Sequence, residues 1–186
     1  MKFQMPKAMT VMGRTSSITN AFYNGIIPVI EPTEAEINKA LEILGIDQNN
    51  VKCCYCGDPA TEWDHLRPLI LDKKPTGYIS EIDNLVPCCG KCNQSKGNKN
   101  WLEWINSNAI KSPKTRGVKN LAEKIQRLKN YENLTKPKKI ESFENIVGKE
   151  LWENHLRNYN EIMLMMKKCQ KTSDEIKEII KIRFKQ

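Results

Sequence analysis

Six of the seven cysteines lie in two short runs, Cys53-Cys54-Tyr55-Cys56-Gly57 and Cys88-Cys89-Gly90-Lys91-Cys92-Asn93. Only Cys53 with Cys56, and Cys89 with Cys92, have two-residue spacing, and four thiolates so spaced make the tetrahedral cage of a structural zinc ion. Cys54 and Cys88 are then spare core thiols. Between the runs stand Asp64 and His65, and Asp83-Asn84-Leu85-Val86 lead into the second run. His65 titrates near neutrality when unperturbed, so it can act as general base toward a water. Asp64, its neighbour on an extended segment, points to the opposite side and can ligate a hard cation such as Mg2+, with Asn93 adding a neutral amide oxygen. Lys96 lies three residues beyond Asn93 and faces roughly the same way. One cation and one base together can supply an activated water, charge stabilisation at phosphorus and a supported leaving oxygen, which is what hydrolysis of a phosphodiester requires.

This order of residues resembles that of the HNH nucleases, the ββα-metal fold, in their four-cysteine zinc-bearing form. The matching residues are Cys53-x-Tyr55-Cys56-Gly57, Asp64-His65, Asp83-Asn84-Leu85-Val86 and Cys89-x-x-Cys92-Asn93-x-x-Lys96-Gly97-Asn98, about fifty of the 186 residues. The resemblance implies an α+β chain with a ββα-metal core and a structural four-cysteine zinc site, flanked by mainly helical N- and C-terminal segments. It implies cleavage of double-stranded DNA to 5′-phosphate and 3′-hydroxyl ends, Mg2+ as catalytic ion with Mn2+ able to substitute, Asn84 holding the loop around His65, and Lys96 near a phosphate. The third letter of the family name departs here, because Asn93 stands where a second, metal-binding histidine is common. Spacing leaves open which of Asn84 and Asn93 faces the metal. The leading reading is a type II restriction enzyme, with enough mass around the core to recognise a site and to form a homodimer on a palindrome. The alternatives are an HNH nuclease of a mobile element, phage or other defence system, and a non-catalytic zinc module that binds nucleic acid.

Three regions follow. Residues 1–50 form an N-terminal segment whose one helix starts at a Thr33/Glu36 capping box, carries Ile37, Leu41 and Leu44 on one face, and ends at Gly45. Gly13-Arg14-Thr15-Ser16-Ser17 before it reads as a loop. Residues 51–110 hold the knuckles, a strand with Asp64-His65 near its end, a second strand near Ile82 to Val86, and a short helix closed by Gly97-Asn98. Trp101, Trp104 and Ile105 follow at helical spacing and are read as core. Residues 111–186 form a basic helical region broken early by Pro113 and Gly117, with apolar stripes on Leu121, Ile125 and Leu128, on Trp152, Leu156, Tyr159, Met163 and Met166, and on Ile176, Ile180 and Phe184. His155 is expected on the surface and Cys169 as a small buried side chain.

The formal net charge is +8. It resides wholly after the motif, where residues 105–186 carry nineteen Lys or Arg against ten acids. The stripe from Lys111 to Lys139, with Lys114, Arg116, Lys119, Lys124 and Arg127, is a candidate contact for DNA phosphates. No membrane span or signal peptide is evident, which predicts a cytoplasmic protein with its thiols reduced.

Overall fold

The computed structural model describes residues 3–184. Two compact units emerge, one of residues 26–141 and one of residues 1–25 with 142–186.

The larger unit contains α2 (Glu34–Ile43), β1 (Glu62–His65), β2 (Ile70–Leu71), β3 (Lys74–Pro75), β4 (Leu85–Cys88), α3 (Gly90–Lys96), α4 (Trp101–Ile105) and α5 (Leu121–Leu134), numbered after α1 (Thr15–Asn24) of the other unit. The capping box of α2 is present in full, with Thr33 accepting from the Glu36 amide and the Glu36 carboxylate accepting from the Thr33 amide. β1 and β4 pair antiparallel, Asp64 opposite Val86 and His65 opposite Leu85. With α3 directly after β4 they form a ββα unit. β2 and β3 form a tight hairpin whose turn residues Asp72 and Lys73 both have positive φ, the conformation that matches strand twist in two-residue turns. The second strand starts at Leu85, later than expected, because a 3-10 turn takes up Ile82–Asn84.

Leu44, Tyr55, Leu66, Val86, Trp104 and Leu128 are all buried in the core of this unit. Trp104 packs edge-on to Tyr55, with ring centroids 5.1 Å apart. α2 and α5 contact one another, and α2 also contacts the 3-10 turn before β4. Tyr131 of α5 points its hydroxyl at the Ile82 and Leu85 carbonyls, at 2.6 and 2.9 Å. The start of β4 is thus held from the side opposite its strand partner.

The second unit is helical: α1, α6 (Phe143–Val147) and α7 (Lys149–Phe184). Residues 13–17, expected as a loop, instead enter α1 through a 3-10 turn at Met12–Arg14. The hydroxyls of Thr15 and Thr19 bond back to the carbonyls of Met12 and Thr15, so these side chains satisfy the chain without opening the helix. Phe22 and Tyr23 of α1 anchor it against α7. His155 is not on the open surface, since it stacks with Trp152 and lies 4.4 Å from the Phe22 ring. Cys169, expected buried, is exposed. α7 has only one partly covered stripe, and Cys169 lies off it.

Candidate active site and zinc centre

Two turns of chain bring the four cysteine sulfurs together. In the first knuckle the Cys53 amide bonds the Asp58 carbonyl and the Gly57 amide bonds the Cys53 carbonyl. Gly57 has φ +85, which a residue with a Cβ rarely adopts. In the second, Cys89 caps α3, and the amides of Cys92 and Asn93 both bond its carbonyl. The sulfurs of Cys53, Cys56, Cys89 and Cys92 all lie within 4.8 Å of one another, with Cys56 and Cys89 at 3.6 Å. A zinc ion with four bonds of about 2.3 Å needs sulfurs about 3.8 Å apart, so the cage fits. Cys54 and Cys88 are buried outside it. Hydrogen bonds from Cys56 and then Cys92 pull the Cys53 thiol down to about 4, and the bond with Cys53 pushes Cys92 up. Cys53 thus takes negative charge more readily than Cys92, and a cation is what would let all four sulfurs carry it.

Arg116 braces this centre. Its guanidinium donates to the Cys92 sulfur at 3.4 Å and to the Asp58 carboxylate at 3.0 Å, linking both knuckles to the segment after α4. Of the other basic residues singled out by sequence, Lys114 and Lys119 are exposed. Lys124 and Arg127 line a cleft of about 330 Å³ together with Lys52 and Gly57. Arg127 is engaged with the Gly45 carbonyl and the Glu123 carboxylate.

β1 presents alternate faces, as its period requires. Glu62 and Asp64 share one, and His65 the other. Asp64 is buried, with Tyr55 donating to Oδ2 at 2.7 Å and the Lys96 ammonium 3.0 Å from the same oxygen. Burial raises the Asp64 carboxyl above its ordinary range, against the pull of Lys96. Lys96 also donates to the His65 carbonyl at 2.7 Å, so one ammonium ties α3 to two successive residues of β1. The Asn93 amide, on the exposed side of α3, donates to Glu62 at 2.5 Å.

His65 lies half-buried with Nε2 2.9 Å from the Ser80 hydroxyl. Burial, and after it the Lys96 ammonium, lowers its pKa to about 4. The ring is therefore neutral near pH 7 and carries one nitrogen lone pair. Asn84 is fully buried, and its amide grips both backbone groups of Arg67, accepting from the N–H at 2.9 Å and donating to the carbonyl at 3.0 Å. Its own carbonyl accepts from the Leu66 amide. Both ends of the Asn84 side chain are spent on Arg67, and its backbone carbonyl takes Leu66, so this one residue holds the two positions after His65. Asn93 sits instead beside Glu62, which shares the strand face of Asp64. Glu62, Asp64 and Asn93 offer oxygens of the kind a hard divalent cation takes.

Sequence reasoning named His65, Asp64, Asn84, Asn93 and Lys96, and the fold brings all five around β1 and α3. It missed Tyr55 as partner of Asp64, Glu62 as partner of Asn93, Ser80 as partner of His65, and Arg116 on Cys92. Only Tyr55 and Glu62 left a signal, being inside the motif and, for Glu62, two residues from Asp64 on the same strand face. Trp101 and Trp104 are buried, as core and not as stacking platforms.

Residues 53–99 match the family model described as HNH endonuclease. The chain is also 36% identical over 69 residues to the CRISPR-associated endonuclease Cas9 of Corynebacterium diphtheriae, a stretch amounting to 35% of this chain. The chain spans 6% of the length of that protein. No solved structure matches. Among the described residues no helix is long and apolar enough to cross a membrane.

Proposed function

Residues 53–99 being an HNH endonuclease segment, we propose that this protein is a metal-dependent endonuclease that hydrolyses double-stranded DNA to 5′-phosphate and 3′-hydroxyl ends. The observation that carries the reading is the meeting of β1 and α3, where His65 lies next to Asp64, and Asp64 shares its strand face with Glu62, to which Asn93 of α3 donates. The neutral ring of His65 takes the proton of the attacking water. Asn84, through its two bonds to Arg67, fixes the backbone that sets the direction of that ring. Asp64, Asn93 and Glu62 are the residues that would hold a divalent cation, Mg2+ or Mn2+. A cation held there would supply charge stabilisation to a phosphoryl oxygen and to the departing 3′ oxygen. Lys96 and Tyr55 keep Asp64 oriented from the protein side and favour its carboxylate form against the opposing effect of burial. The zinc centre is structural, since four cysteines fill its coordination and leave no position for water or substrate.

The finer reading is a restriction enzyme that cuts at one sequence. The likeness to part of a CRISPR-associated endonuclease favours a second, an HNH nuclease serving another defence system. Incubation of the purified protein with a plasmid of known sequence and Mg2+, followed by sequencing of the ends, tests all of this. Discrete fragments with 5′-phosphates are expected from a restriction enzyme. A smear or nicks alone would indicate the second reading, and intact plasmid across metals and salt concentrations would overturn the nuclease assignment.

A further inference from the structure

α7 runs for 36 residues without one buried side chain. One stripe, marked by Trp152, His155, Tyr159 and Met163, is half covered within its own unit, where Tyr159 bonds Thr19 of α1 at 2.8 Å and packs on Phe22. A second stripe, roughly 120° around the helix at 3.6 residues per turn, consists of Ile162, Met165, Cys169, Thr172, Ile176 and Ile179. Its spacings alternate three and four throughout, the pattern of a coiled-coil seam. These side chains face solvent: Ile162 is 39% exposed, Met165 58%, Ile176 53% and Ile179 60%. Most helical stability in proteins comes from packing an apolar face, and among the described residues this stripe has none to pack on.

We propose that this stripe is a homodimer interface on which α7 of a second copy packs antiparallel. The charged residues beside the seam select both the occupant and the register. With Ile162 opposite Ile179, Met165 opposite Ile176, and Cys169 opposite Thr172 of the second copy, Lys168 of each chain meets Glu175 of the other. Two opposite-charge pairs then flank the central layers. Sliding by one heptad in one direction sets Glu175 against Glu175, and in the other sets Lys168 against Lys168. A parallel pairing gains no acid-base pair along the flanks and brings Arg183 against Arg183 in the seam. The helix therefore complements itself in one antiparallel register and disfavours the neighbouring ones, the way coiled coils specify partners. The paired segment, eighteen residues from Ile162 to Ile179, is about 27 Å long at 1.5 Å per residue. Such a dimer has a two-fold axis, the symmetry of a palindromic duplex, although the association itself does not depend on DNA being cut.

Sedimentation equilibrium of the full chain tests it. A dimer is expected, with Lys168→Glu and Glu175→Lys each weakening association at least about tenfold, near 1.4 kcal/mol, because each turns both flanking pairs into like charges. The double variant Lys168→Glu/Glu175→Lys is expected to recover the dimer. Met165→Glu/Ile176→Glu should be monomeric with its helical circular dichroism unchanged. A monomeric parent chain at about 100 µM, far above the Kd of an ordinary specific dimer, would overturn the proposal. So would a dimer indifferent to the single charge reversals, or one that the double variant fails to restore.

Discussion

The ammonium of Lys96 lies 3.0 Å from the carboxylate of Asp64, and the two side chains are 0% and 6% exposed. This pair is internal, so Lys96 is engaged inside the protein, where the family resemblance set it near a phosphate. It does two things at once, balancing a carboxylate taken out of water and, through the His65 carbonyl, holding α3 against β1. Buried pairs of this kind add little over apolar packing, but breaking one leaves a lone charge in a low-dielectric interior.

Lys96→Ala is accordingly expected to lower unfolding free energy by about 3–5 kcal/mol, read from urea denaturation of the zinc-loaded protein. A loss below about 1 kcal/mol, the range of a solvent-exposed ion pair, would show that the pair is open to water. The same reasoning makes Asp64→Asn a better functional variant than Asp64→Ala, because the amide keeps the shape and still accepts from Tyr55.

His65→Ala is expected to retain fold, zinc and DNA affinity while losing cleavage by roughly 10²-fold or more, the scale of general acid-base catalysis. Asp64→Asn should also lose cleavage, with part of it recovered as Mn2+ replaces Mg2+ or as metal concentration rises. No metal should recover His65→Ala to that extent, since added cation supplies no proton acceptor. Single-turnover cleavage across a metal titration separates the two, and near-parental cutting by His65→Ala would refute the base assignment.

Arg116→Ala should speed zinc release to a chromophoric chelator about tenfold, because a hydrogen bond to a charged group contributes roughly 1.5–3 kcal/mol and the missing donor faces a cysteine ligand. Elemental analysis of the parent should give one zinc per chain. Cys54→Ser and Cys88→Ser are expected to leave that stoichiometry unchanged, while Cys89→Ser lowers it. Zinc release unaltered in Arg116→Ala would reduce the approach of Arg116 to Cys92 to simple proximity.

The basic stripe divides by geometry. Replacing Lys114, Lys119 and Lys124 with Gln should flatten the slope of log affinity against log salt by roughly one unit for each phosphate that no longer meets a cation. Arg116 and Arg127 already have partners within the protein, so Arg127→Gln should change that slope less than Lys124→Gln. Equal slopes for all variants would mean that the stripe is simply solvated.

Much of the site was legible in the chain because its determinants are local. Two-residue cysteine spacing is dictated by the reach of a knuckle around one ion, strand alternation puts Asp64 and His65 on opposite faces, and Asn93 and Lys96 fall one helical turn apart. The capping box of α2 and the burial of Trp101 and Trp104 were readable for the same reason. What could not be read are pairings between residues distant in sequence. Lys96 is 32 positions from Asp64, Asn93 is 31 from Glu62, and Arg116 is 24 from Cys92. Spacing could not assign Asn84 and Asn93 different surroundings either, since both are amides near the same strands. Only the turn at Ile82–Asn84 buries the first against the Arg67 backbone, and only the exposed side of α3 carries the second to Glu62. By itself the sequence determined which residues could do the chemistry. The tertiary structure decided their partners, because a buried carboxylate or amide must find its hydrogen bonds wherever the packed chain brings a donor.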